Sequence, residues 1–246
     1  MGADRRGDGL PLAAGLPAVR EEAQRQAGQN GMTHHSASEL IVLHTVRLMG
    51  FADSGDVAER AGTSHAEVLR VLTEAKRKGW VQHTAFADLD GWSLTDSGKV
   101  ANERQLAAER SDADPAGVVA TAYRAFLPPN ARLLRAVSDW QTKPSGADEL
   151  ALNDHTDPAW DDRVLDELTA LGQELAPLVE SLSAVLPRFG GYTSRFDAAL
   201  RRARVGQHDW IDQTSVDSCH RVWFQLHEDL IATLGIDRGS DDFMDG

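Results

Sequence analysis

The chain has 246 residues, 41% of them hydrophobic, a single cysteine and a formal charge of −13. That length suits one large or two modest domains with a packed core. No apolar run approaches the ~18–20 residues needed to span a bilayer, and the N-terminal segment lacks a secretory signal pattern. The lone Cys219 excludes an intrachain disulfide and a paired-cysteine zinc site, and fits a cytoplasmic protein. The net acidity argues against a protein that coats nucleic acid without sequence preference.

In chain order, residues 1–32 are rich in Gly, Ala, Arg, Asp and Gln without sustained periodicity and read as a disordered tail. Residues 33–111 read as one unit. Glu39–Met49 carries Leu40, Ile41, Leu43, Val46 and Leu48 at helical spacing, with Ser36 or Ser38 as N-cap and Gly50 as stop. Ser54 caps a short helix ended by Gly62, and Thr63 or Ser64 opens a third helix through Lys78. Trp80–Thr84 and Trp92–Leu94 are strands joined by an Asp88–Gly91 turn, and Thr95 caps a long polar helix towards Arg110. Residues 112–237 read as helical around one loop, Lys143–Asn153: Ala116–Phe126, Pro128–Gln141, Asp157 to about Leu186 with a kink or break at Pro177, Arg188–Arg204 and Ser215–Leu234. Residues 238–246 form a second disordered tail.

The order helix, helix, helix, hairpin, helix is that of a winged helix-turn-helix with a small β-hairpin wing, followed by a C-terminal helical bundle. The expected class is mainly α. In the third helix, Val68, Leu72 and Ala75 share an inner side predicted to pack on Leu40, Leu43, Val57 and Leu94. Glu67, Arg70, Thr73, Glu74 and Arg77 face outward. The candidate DNA-binding residues are Ser64 and His65 at the helix N-terminus, where phosphate sits, then Arg70, Thr73, Lys76, Arg77 and Lys78. Charge divides unevenly: 9 basic and 11 acidic residues in Thr33–Arg110, against 12 and 23 in Ser111–Gly246. The candidate DNA module is near neutral, so binding should be modest and salt-sensitive.

Arg70, the run Lys76-Arg77-Lys78-Gly79-Trp80-Val81 and the run Trp92-Ser93-Leu94-Thr95-Asp96-Ser97-Gly98 resemble the MarR-type winged-helix regulators from about Glu39 to Leu106. The resemblance implies a dimeric, ligand-responsive transcription factor that binds double-stranded DNA. At the wing tip, where that family carries basic residues, this chain carries Asp88 and Asp90, which repel phosphate. The second half resembles an extension found on actinobacterial MarR-like proteins. The matching segments are Phe126-Leu127-Pro128-Pro129-Asn130, Ser138-Asp139-Trp140-Gln141, Asn153-Asp154-His155-Thr156-Asp157-Pro158 and His220 to Leu230.

Trp140, His155, Trp160, His220, Trp223 and His227 are the candidate ligand-binding residues, because a helical bundle can turn aromatic and imidazole groups inward around a small-molecule effector. Taken singly, Trp140 and Trp223 also suit a core, and Asp154, Thr156 and Asp157 suit helix capping. A metal set from Asp217, His220, His227 and His155 is the weaker alternative, since the Asp-x-x-His spacing occurs once. No nucleophile elbow, phosphate-binding glycine loop or paired-cysteine motif is present. Cys219 reads as a structural thiol. The expected protein is a cytoplasmic, homodimeric DNA-binding regulator without catalytic residues, metal or cofactor. A winged-helix interaction subunit that does not bind DNA, and a metal-dependent enzyme in the helical half, are the alternatives.

Overall fold

The computed structural model describes residues 36–86, 89–145 and 151–236. Both expected tails, 1–32 and 238–246, and Asp88 lie outside the described residues. The fold is mainly helical with one small antiparallel hairpin, as expected.

The N-terminal unit consists of α1 (Ser38–Met49), α2 (Ser54–Ala61), α3 (His65–Arg77), β1 (Val81–Phe86), β2 (Leu89–Leu94) and α4 (Asp96–Ala113). Its boundaries follow local chemistry. Asp53, one residue before the expected Ser54, caps α2 by accepting the N–H groups of Gly55 and Asp56, and Ser64 caps α3 through the N–H of Glu67. Gly50 and Gly62 end α1 and α2 at positive φ, where a side chain would be strained. No side chain caps α1; Ala37 holds that position in place of the expected Ser36 or Ser38. The hairpin pairs Val81 with Leu94 and Phe86 with Leu89, so both strands run longer than their sequence pattern suggested. Thr95 caps α4 as expected. Gly98 in the first turn of α4 is forced by packing, because a Cβ there would lie 1.8 Å from the Trp80 carbonyl oxygen.

The helical body holds α5 (Val118–Gln141), α6 (Pro158–Val185), a 3-10 turn (Pro187–Phe189), α7 (Tyr192–Arg204), the short α8 (Asp209–Asp212) and α9 (Cys219–Leu234). The predicted break before Pro128 is absent, and α5 runs through Pro128 and Pro129. Of the kink or break expected at Pro177, the break is absent: α6 is continuous from Pro158 to Val185. In both helices the inner stripe is buried on each side of the proline: Phe126 and Leu133 in α5, Leu175 and Leu178 in α6. Burial of such side chains contributes about 1.5–3 kcal/mol each, enough together to outweigh the ~3 kcal/mol cost of an interior proline.

One core fills the helical body, around Phe126, Leu168, Phe189, Phe196 and Trp223. A second lies in the N-terminal unit, where Val68, Leu72 and Ala75 meet Leu43 and Val57, with Leu94 packed against them. Leu40 departs from expectation: it turns away to Leu106 of α4 and Ala232 of α9, forming a third cluster that joins the two units. The same seam carries polar groups. Gly98, Asn102, Leu106, Glu109 and Ala113 form the buried stripe of α4, a helix that looks polar throughout in the sequence. Among the described residues, no helix is long and apolar enough to cross a membrane.

Candidate functional site

The outer face of α3 carries the predicted DNA-contacting residues, and most are engaged by neighbours within the chain. Arg70 donates to both oxygens of Glu67 at 2.8 Å, which holds that carboxyl below its usual pKa. Arg77 donates through one nitrogen to a single oxygen of Glu74. Lys78 donates to Glu39 at 2.8 Å and lies 4.2 Å from the Trp80 ring centroid, and Lys76 lies 5.9 Å from that of Trp92. Ser64 uses its hydroxyl as the helix cap, and the His65 ring contacts Ser54 Oγ at 2.8 Å. Thr73 is exposed. The Arg70 and Arg77 side chains are 64% and 74% exposed, so water or phosphate reaches both guanidinium groups. On the hairpin, Asp90 pairs with His83 at 2.7 Å, and the opposed residues Phe86 and Leu89 stand 77% and 58% exposed.

The six predicted ligand-binding residues do not converge on one site. Trp223 is buried on Phe126 and Phe196 and donates its indole N–H to Asn130 Oδ1 at 3.0 Å. The His227 ring lies 5.5 Å from Phe126 and 6.3 Å from Tyr123. These two residues are part of the helical packing. Trp140 and His155 belong to a separate cluster with His208, with ring centroids 4.4–5.1 Å apart. Asp161 lies 3.0 Å from His155 Nδ1 and accepts from Asn153. His155 adopts φ 57°, a left-handed conformation uncommon outside glycine, and Asp157 caps α6. Trp160 instead donates to the Asp139 carbonyl at 2.6 Å, with Arg163 stacked over its ring. His220 is half-buried, and that burial lowers its pKa. Among the described residues, no group of three or more His, Cys, Asp or Glu side chains is placed to hold a metal ion. Cys219 is buried, which pushes its thiol up to about 12.

The strongest polar constellation was not anticipated. His44 of α1 sets Nε2 2.9 Å from Asp229 Oδ1 and Nδ1 3.2 Å from Asn102 Oδ1. Arg188 donates to Asp229, to Glu109 at 2.8 Å and to Thr233 at 2.6 Å, while the Tyr192 hydroxyl donates to Asp229 at 3.0 Å. Burial alone would raise the Asp229 carboxyl; Arg188 and His44 outweigh it and hold the pKa at about 2. The cluster joins α1 and α4 to the helical body.

Above this cluster opens a cleft of about 640 Å³ between α1 and α2 on one side and the Pro187–Arg195 and Ser215–Asp229 segments on the other. Arg60 of α2 donates to both oxygens of Asp217 at 2.9 and 3.0 Å. Arg195 of α7 donates to the same oxygens at 2.7 and 2.9 Å. Gln225 Oε1 accepts from both guanidinium groups. Burial would raise the Asp217 carboxyl, but the two arginines bring it to about 2. One signal in the sequence pointed here: Gln225, Asp229 and Thr233 fall at helical spacing among Val222, Leu226 and Leu230, which marks polar groups on an inner face.

Comparison with protein-family models, curated proteins and solved structures found no match.

Proposed function

We propose that the chain is a winged-helix, DNA-binding transcriptional regulator, with α3 as the helix that enters the major groove. The carrying observation is the two-sided build of α3. Val68, Val71, Leu72 and Ala75 are buried, and Arg70, Thr73, Lys76 and Arg77 are exposed opposite them, next to a projecting hairpin. This layout suits a helix that reads base edges while its flanks hold phosphate. Arg70, Lys76, Arg77 and Lys78 give four positive charges against three negative from Glu67, Glu74 and the Lys78 partner Glu39, a local balance of +1 on a chain of net −13. The Arg70–Glu67 and Arg77–Glu74 pairs are exposed to water, which weakens such pairs, so phosphate can exchange for either carboxylate. The same reading includes a homodimer acting in the cytoplasm and a small-molecule effector. The test is titration of the full chain against duplex DNA at several salt concentrations. Binding that weakens steeply with salt supports the reading, and absence of binding at low salt removes it.

A second reading, an interaction module that does not use DNA, is favoured by the hairpin tip. Phe86 and Leu89 place two large apolar side chains in solvent beside Asp90, a composition that suits a protein surface better than a phosphate backbone. Under that reading Phe86→Ser removes partner binding and leaves any DNA affinity unchanged.

A further inference from the structure

We infer that the Arg60–Asp217–Arg195 junction is a binding site for the carboxylate or phosphate group of a small metabolite, with the chain's own Asp217 as its resident anion. The cleft of about 640 Å³ falls within the range of about 300–1,000 Å³ typical of small-molecule pockets. At its centre two guanidinium groups, from opposite walls, share one carboxylate, so the local balance is two positive charges against one negative. The cleft's other carboxylates do not cancel this excess. Asp229 is already bonded to Arg188, His44 and Tyr192, while Asp56 and Glu59 lie exposed on the α2 rim.

Donors also remain. Arg60 bonds through Nη1 and Nη2, and Arg195 through Nε and Nη2. Among the described residues, no acceptor is paired with Arg60 Nε or Arg195 Nη1. Each guanidinium carries five N–H groups in a planar fork that matches a second oxyanion as well as the first. The Arg60 and Arg195 side chains are 27% and 20% exposed, open enough for entry and sheltered enough to strengthen a charged hydrogen bond. Ile41, Leu48, Pro187 and Val216 line the rest of the cleft and suit the uncharged part of the ligand. Because Arg60 belongs to α2 and Arg195 to α7, a ligand that engages both ties the N-terminal unit to the helical body.

This inference goes beyond the DNA reading and does not depend on it, so its test contains no DNA. Melting of the full chain is followed in inorganic phosphate, in acetate and in chloride at matched ionic strength. A saturable rise in Tm with phosphate or acetate above chloride is expected, and the stronger of the two identifies the preferred group. Arg195→Gln should abolish the rise and Arg195→Lys should restore part of it. Asp217→Asn removes the resident anion and should tighten binding about five- to tenfold. If Arg195→Gln does not fold, the Asp217→Asn arm alone decides. The inference is overturned if phosphate and acetate both match chloride, or if Asp217→Asn responds no more than the unaltered chain.

Discussion

Replacing Asp229 with Asn tests the buried seam between the two units. The side chain is 1% exposed and accepts from His44 on α1, Arg188 on the 3-10 turn, Tyr192 on α7 and Thr233 on its own helix. Asn keeps the volume, so no cavity forms and the change isolates charge and hydrogen bonding. The carboxyl falls from 3.8 to about 2 on folding, which makes its ionised form worth about 2 kcal/mol at neutral pH. The new amide also turns N–H groups towards existing donors, adding about 1 kcal/mol. The expected loss is therefore about 3 kcal/mol, a large share of a typical stability of about 5–15 kcal/mol. Urea titration at neutral pH measures it as a lower midpoint with an unchanged slope. Because the folded pKa is depressed, the carboxylate's contribution is complete above pH ~4 and disappears as pH falls towards ~2; about half is gone at pH ~3. The gap between the two proteins should narrow accordingly. A loss under about 1 kcal/mol at neutral pH, or a gap that stays constant down to pH ~2, would refute the reasoning.

Gly98→Ala should destabilise by about 3 kcal/mol in the same titration, since its Cβ would collide with the Trp80 carbonyl between hairpin and α4. The Cys219 thiol, buried and raised to about 12, should stay unmodified by a thiol reagent at mildly alkaline pH until the chain is unfolded. Glu67→Gln and Glu74→Gln together should strengthen DNA binding and steepen its salt dependence, because they free Arg70 and Arg77; an unchanged anisotropy titration would mean that this face of α3 does not approach phosphate.

Local signals in the sequence placed most elements. Thr95 caps the helix it was expected to cap, Ser64 and Asp157 are the caps among the alternatives the sequence left open, and the Val68–Leu72–Ala75 stripe is buried with Leu43 and Val57. What the sequence hid is long-range and polar. His44 meets Asp229 across 185 positions and Arg60 meets Asp217 across 157, and no local periodicity encodes such pairings. The α4 helix reads as polar because its inner stripe holds Asn102 and Glu109, whose burial makes sense only once His44 and Arg188 are in place. The aromatic and imidazole residues of the second half looked convergent because helical spacing gives direction along one helix, not distance between helices. In the fold Trp223 and His227 sit on Phe126, while Trp140 and His155 sit on His208. The Arg60–Asp217–Arg195 junction joins residues from three segments, each of which reads alone as an ordinary surface charge.

Selection of sequences from a randomised duplex pool, run in parallel with the full chain and with an Arg70→Ala, Arg77→Ala variant, tests the proposed DNA reading most directly. The account predicts an enriched motif for the unaltered chain. For the variant it predicts a motif weakened or lost, with affinity for the best site reduced by about 1–3 kcal/mol for each base contact removed. Failure of the unaltered chain to enrich any sequence at low salt, or an identical motif and affinity from the variant, would contradict it.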